Sequence, residues 1–253
     1  MIFHFSGTGN SYYAAKQIGS EITDELIDIS KAMAEEQFTY SVSPDEKVGF
    51  VFPLYFYGLP TIVADFISKL KLEVNLKPYL YGVITCGDSI EGADRMLAAL
   101  LEKQTYTLNA SFELKMTGNY VLMYDMPTVE QQKSNLILAD IKMCAIINDI
   151  KKSVNNYDSS KAGLSLLTRI AYPLYKHGRK TRRFYADLNC NSCGKCEIIC
   201  PVKAIEMQNG KPVWTKKQCV HCTGCINRCP MEAIQYGSKT KKRRRFENPI
   251  LKD

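Results

Sequence analysis

The feature that most constrains this chain is a cysteine string repeated with a period of 29. Cys190, Cys193, Cys196, Cys200 and Pro201, with Ala204 and Ile205, recur as Cys219, Cys222, Cys225, Cys229 and Pro230, with Ala233 and Ile234. Seven matched positions at one spacing signal duplication of a single structural unit. Eight of the ten cysteines lie in this window. The chain starts on a strand-like Ile2, Phe3, His4, Phe5 and lacks the basic-then-apolar layout of a signal peptide. A cytoplasmic location is therefore expected, and cysteine this dense argues for metal ligation or redox chemistry rather than a disulfide framework. Cys86 and Cys144 fall outside the window and read as small buried hydrophobes.

A pair of structural zinc sites would also use CxxC pairs. Such sites need only two pairs per ion, which leaves the third cysteine and the Cys-Pro ending, both repeated, without a purpose. His221, inside the second string, reads as a solvated loop residue. Small neighbours such as Ser192, Gly194, Thr223 and Gly224 would let backbone approach an inorganic core. Between the two strings, Asn209-Gly210 within residues 205–214 has the form of a hairpin turn.

The doubled CxxCxxCxxxCP string resembles the two-cluster bacterial ferredoxins over residues 187 to 237. In that family the fourth cysteine of each string ligates the other cluster. The resemblance implies two 4Fe-4S clusters, one on Cys190, Cys193, Cys196 and Cys229, the other on Cys219, Cys222, Cys225 and Cys200. The spacing suits this. Two-residue gaps wrap backbone round a compact cluster, and the longer gap carries the last cysteine across to the neighbour.

At 253 residues the chain exceeds a usual single domain, so a medium domain ahead of the cysteine unit is expected. Residues 1–155 alternate short apolar runs with helix-length amphipathic segments, the pattern of a parallel α/β sheet. Candidate strands are Ile2 to Phe5, Glu25 to Ile29, Val48 to Phe52, Leu80 to Thr85 and Phe112 to Met116. Candidate helices follow Asn10, Pro60 and Gly92, and a long one covers Val129 to Val154. Five such strands suggest a three-layer, doubly wound sheet. Residues 156–186 read as a helical connector, 187–238 as the small α+β cluster domain and 239–253 as a basic tail of solvated charge. No stretch approaches the roughly 18 apolar residues of a membrane span.

Directly after the first strand come Ser6, Gly7, Thr8, Gly9, Asn10 and Ser11, leading into a helix. This loop offers backbone N–H groups, hydroxyls and a helix N-terminus to a phosphate dianion, without the Lys of a P-loop. In that position the string resembles the phosphate loop of flavodoxins, which bind FMN, although the first strand here is short. The resemblance implies that two further loops reach the isoalloxazine: Pro53, Leu54, Tyr55, Phe56, Tyr57, Gly58, and Thr85, Cys86, Gly87, Asp88. Tyr55 and Tyr57 are favoured as ring neighbours, with Phe52 and Phe56 as core. Gly118, Asn119, Tyr120 and Tyr124 form a fourth element that could close over the flavin. His4 reads as a packed strand residue and Asp88 as a loop cap.

As a whole the chain resembles the fused flavodoxin–ferredoxin proteins of the EFR type. That resemblance implies an electron relay between FMN, two 4Fe-4S clusters and redox partner proteins. Two other readings stand beside it: a flavin-dependent reductase of a small acceptor, and a redox-sensing nucleic-acid binder. The last is motivated by Lys239 to Arg245 and by the cations from Lys176 to Arg183. An acidic redox partner would be attracted by the same charge.

Overall fold

The computed structural model describes residues 1–74, 77–90, 92–161 and 163–251. In chain order its elements are β1 (Ile2–His4), α1 (Asn10–Ile22), β2 (Leu26–Asp28), α2 (Ile29–Ala34), β3 (Thr39–Ser41), β4 (Lys47–Pro53), α3 (Thr61–Lys69), β5 (Lys71–Glu73), β6 (Tyr79–Cys86), α4 (Ala93–Glu102), β7 (Leu108–Lys115) and α5 (Val129–Lys151). Then follow α6 (Leu166–Gly178), β8 (Phe184–Ala186), α7 (Lys195–Ile198), β9 (Ile205–Gln208), β10 (Lys211–Trp214), α8 (Gly224–Asn227) and β11 (Ile234–Tyr236).

The main sheet is parallel throughout, in the order β2-β1-β4-β6-β7. Counted within the sheet, this is the flavodoxin-like order 2-1-3-4-5, and it reverses direction between β1 and β4. Loops at the carboxyl ends of those two strands border the crevice where such sheets bind ligands. The strands are apolar almost continuously, as a sheet covered on both faces must be. Phe3, Phe5, Phe50 and Phe52 point to one face and pack with Phe66 of α3 and Leu97 of α4, all fully buried. Ile2, Val51, Tyr81 and Val83 point to the other, under Ala14 and Ile18 of α1 and Ile146 and Ile150 of α5.

Several boundaries differ from the sequence reading, each for a local reason. The expected strand Glu25 to Ile29 is cut short because the Asp28 carboxylate accepts from Ser30 N at 2.6 Å, caps α2 and turns Ile29 into a helix start. Strand β7 begins at Leu108 rather than Phe112, and its alternating burial explains why an apolar-run criterion missed its first half. Helix α5 opens with a Thr128/Gln131 capping box and stops at Lys151. Strands β3 and β5, absent from the expectation, form a separate two-stranded parallel sheet. Cys86 is buried as expected, but Cys144 is exposed on α5.

The C-terminal unit starts inside the expected connector, because β8 pairs antiparallel with β11. The hairpin of β9 and β10 turns at Asn209 (φ 50°) and Gly210 (φ 75°), the left-handed pair that a tight I′ turn requires. The repeat is also one of backbone. Helices α7 and α8 begin and end 29 residues apart. Left-handed non-glycine residues Ser192, Lys203, His221 and Glu232 likewise pair as 192 with 221 and 203 with 232.

The basic segment is only in part the solvated tail the sequence suggested: Lys239, Lys241, Lys242 and Arg244 are exposed, but the residues around them are tied down. Arg243 donates to Val121 O at 2.7 Å, Arg245 to Thr240 O and Ile234 O, and Phe246 and Asn248 are buried. Glu247 takes Arg228 at 2.8 Å. Asn248 N donates to Thr8 O at 2.8 Å and its amide to Asn10 Oδ1 at 3.1 Å. Residues 243–251 thus form a strap from the cysteine unit to the loop after β1, and residues 252–253 of the expected tail lie outside the described residues.

Candidate functional site

Two cavities of similar size lie in the C-terminal unit. One is lined by Cys190, Cys193, Cys196 and Cys229. The other is lined by Cys200, Cys219, Cys222 and Cys225. Each string therefore gives three cysteines to one cavity and its fourth to the other. The thiols surround a space; among the described residues no three His, Cys, Asp or Glu side chains converge on a single-ion site. Two tetrads of soft donors around such spaces fit the chemistry of an iron–sulfur cluster.

The local backbone explains how the thiols come to face inward. Ser192, Gly194, His221 and Thr223 are left-handed, and each sits between two cysteines of a CxxC pair, bending the chain round the cavity. Ala204 N lies 3.2 Å from Cys200 Sγ and His221 N lies 3.4 Å from Cys219 Sγ, as donors to sulfur. Burial pushes the Cys196 and Cys219 thiols up to about 11 and Cys222 up to about 12. Thiols of that basicity become ligands only beside strong positive charge, which metal ions supply.

The two cavities differ in exposure. Cys193 is exposed, and Leu188 and Ile198 nearby are 99% and 81% exposed. Around the other cavity, Val220 is buried and Cys222 packs against the sheet core, in the cluster that holds Tyr55 and Tyr175. Gly7 makes that approach possible. A Cβ there would lie 2.3 Å from Cys222 O, so only a residue without a side chain fits.

His221 is buried, 6% exposed, which corrects the expectation of a solvated side chain. Burial lowers its pKa to about 4, so the ring is neutral. Nε2–H donates to Lys180 O at 3.1 Å, which leaves Nδ1 to accept from Tyr120 O–H at 3.2 Å. The imidazole thereby ties the 118–126 loop to the cysteine unit. Thr223 Oγ1 and the Asn227 amide donate to Asn119 O, and Tyr175 O–H to Val220 O at 2.9 Å.

A third, broader cavity opens at the carboxyl edge of the main sheet. Its walls include residues 54–57, 87–89, 118–120 and 123–127, with Leu167, Tyr175, His221 and Thr223. It gathers Leu54, Tyr55, Phe56, Tyr57, Gly87, Asp88 and Tyr120 of the expected ring loops. Phe52 is core, as expected, but Phe56 lines the cavity and stacks on Tyr175 at 5.4 Å and 13°. Phe56 and Tyr57 both hold positive φ, 48° and 61°, a strained pair closed by the Tyr55–Gly58 hydrogen bonds of 2.9 and 3.0 Å. Asp88 is fully exposed and 3.8 Å from Lys115 Nζ, not a loop cap. Pro53, Gly58, Thr85 and Cys86 do not line the cavity. Thr85 instead meets Ser11 Oγ at 2.7 Å. His4 is buried in its strand, as expected.

The loop from Ser6 to Ser11 lies behind this cavity rather than on its wall. Gly9 enters α1 at φ 100° with no side-chain cap. Thr8 and Ser11 are buried, the hydroxyls of Ser6, Thr8 and Ser11 are paired with Gly9 N, Asn119 and Thr85, and Asn248 and Leu251 of the strap cover Gly9. The residue types of the loop are those that hold a phosphate dianion, reachable only if the strap residues over Gly9 give way, and aromatic walls suit a flat ring. Asn119 joins the two regions, since it lines the cavity and its amide donates to Thr8 Oγ1. Tyr175, His221 and Thr223 were not among the expected lining residues; their spacing from the N-terminal loops hides them, and only folding brings them together.

The 4Fe-4S dicluster domain family matches residues 183–245. A ferredoxin-like protein in the nif region of Sinorhizobium fredii is 42% identical over 48 residues, 17% of this chain and 75% of that protein. Ferredoxin-1 of Rhodobacter capsulatus is 39% identical over 46 residues, 16% of this chain and 71% of its own length. Among solved structures, a Bacteroides uniformis chain described as a flavoprotein covers 46% of this chain and 88% of its own at 16% identity and TM-score 0.36. Rubredoxin oxygen:oxidoreductase of Desulfovibrio gigas covers 60% of this chain and 36% of its own at 17% identity and TM-score 0.35. Those overlaps are loose, and the parallel strand order carries the assignment of the N-terminal fold. With its C-terminal match and that strand order together, the chain belongs to the 4Fe-4S ferredoxin family as a fused flavodoxin-like/ferredoxin protein, built to bind 4Fe-4S and transfer electrons.

Proposed function

We infer that the chain is an internal electron relay between FMN in the N-terminal unit and two 4Fe-4S clusters, with redox partner proteins at its outer end. One observation carries this reading: a single cavity is walled by the ring loops and by His221 and Thr223, which flank Cys222. Bound FMN would exchange electrons singly or in pairs and each cluster singly, so their union links one-electron and two-electron partners. The chain's own residues hold the order. Gly7 lets the phosphate loop touch the Cys222 backbone, and the Tyr120–His221–Lys180 hydrogen bonds fix the ring side against the cysteine unit. Cys219, Cys222, Cys225 and Cys200 hold the inner cluster. Cys190, Cys193, Cys196 and Cys229 hold the outer one, where exposed Leu188 and Ile198 leave the surface open to a partner, acidic by complementarity to the net charge of +7.

The nucleic-acid reading is weakened in the strap, where Arg243 and Arg245 are engaged with protein carbonyls, while Lys239, Lys241, Lys242 and Arg244 stay exposed. An anaerobic reductive titration followed by visible absorption and paramagnetic resonance tests the relay. The reading expects one flavin and about eight irons per chain, with flavin and cluster signals changing in one protein. Protein that stays free of iron and flavin after anaerobic reconstitution overturns it.

A further inference from the structure

From Ser159 to Ala186 the chain contains no Asp or Glu and seven Lys or Arg, as many positive charges as the net +7 of the whole protein. This stretch contains α6, whose inward residues Thr168, Tyr172 and Tyr175 are buried. Its outward side is unlike that of an ordinary surface helix. Leu166, Ile170 and Leu174, one turn apart, are 73%, 60% and 68% exposed. Residues at i and i+4 stand one above the other, so these three form a continuous apolar row. Leu167 lies beside the row and also lines the mouth of the cavity framed by the ring loops, where Tyr57, Met123 and Tyr124 are exposed as well. Arg169 and Lys176 stand exposed on the same helix, and Lys180 and Arg182 just past its end.

An exposed apolar row with cations beside it complements a surface that is apolar inside and anionic at its boundary. We propose that α6 lies in the interface of an anionic lipid bilayer. Leu166, Ile170 and Leu174 enter the acyl boundary, the cations meet headgroup phosphates, and the cavity mouth turns toward the membrane. Among the described residues no helix is long and apolar enough to cross a bilayer, so the contact is peripheral. A row of three side chains is small against the ~800 Å² that each partner contributes to a stable protein interface, which disfavours a second copy. Reversible bilayer binding needs only an apolar face and a cationic flank.

The test is co-sedimentation of the full chain, purified anaerobically, with vesicles of phosphatidylcholine alone or of phosphatidylcholine and phosphatidylglycerol in equal parts. Binding to the anionic vesicles is expected to exceed binding to neutral ones by at least about tenfold, and R169Q and K176Q to weaken it about fivefold each. The variant L166S/I170S/L174S, altered only at exposed positions, is expected to lose binding while keeping its melting temperature and visible absorption. Equal binding to both vesicle types overturns the proposal, as does binding that survives the serine substitutions. A dimer in sedimentation velocity that those substitutions split would assign the row to a second copy. Retention on polyglutamate without vesicle binding would assign it to an acidic protein.

Discussion

Cys200 and Cys229 test the site at the level of single atoms, because each lines the cavity of the opposite string. C200S should damage the cluster on Cys219, Cys222 and Cys225, and C229S the one on Cys190, Cys193 and Cys196. Iron analysis with paramagnetic resonance should show about half the iron and one surviving signal in each case. Loss of the neighbouring cluster of the same string would contradict the crossing. At Gly7, a Cβ would meet Cys222 O at 2.3 Å. G7A should therefore separate the two loops, costing about 1–3 kcal/mol of stability in chemical unfolding while leaving iron content intact. His4 answers to pH. Burial holds its imidazole below the ordinary 6.5, against the pull of Asp28, so the unfolded chain takes up that proton first as pH falls. The stability His4 gives above pH 6.5 is lost as acid carries the pH below that value, and H4Q should show a shallower loss of melting temperature between neutral pH and about pH 5.

Among the elements, the strap has the largest consequence not visible in the sequence. Six cations from Lys239 to Arg245 look like solvated charge, yet Arg243 and Arg244 reach the carbonyls of Val121 and Met126, more than 100 residues away in the chain. Truncation before Arg243 removes the buried Phe246 and the Asn248 contacts to Thr8 and Asn10. It should cost at least about 2 kcal/mol, or roughly 4–8 °C in melting temperature for a chain of this size. An unchanged melting curve would show that the strap does not hold the units together. The elements that were legible share one property: their signal is local. The Asn209-Gly210 turn, the helix starts after Asn10 and Gly92 and the apolar cores of β4 and β6 need only a few neighbouring residues. The β3–β5 sheet, the pairing of β8 with β11 and the burial of His221 depend on partners 30 to 100 residues away. For that reason periodicity could not reveal them. The same holds for the site. Cysteine spacing displays the residues that line the two cysteine cavities, whereas Tyr175 on α6 enters the cavity at the carboxyl edge of the main sheet only through tertiary packing.

At the scale of the whole molecule, the two units share a core rather than meeting at a loose linker. Val220 and Cys222 pack in the cluster that includes Tyr172, Tyr175 and the phenylalanines of the main sheet. The proposed relay within one chain rests on that packing: electrons would move between a flavin and the outer cysteine tetrad without a docking step. The most direct measurement is rapid photoreduction of the flavin under anaerobic conditions, with cluster reduction followed in the visible as protein concentration is varied. The account predicts a first-order rate that does not change with concentration and that slows in G7A. A rate proportional to protein concentration would contradict it, because electrons would then be passing between molecules.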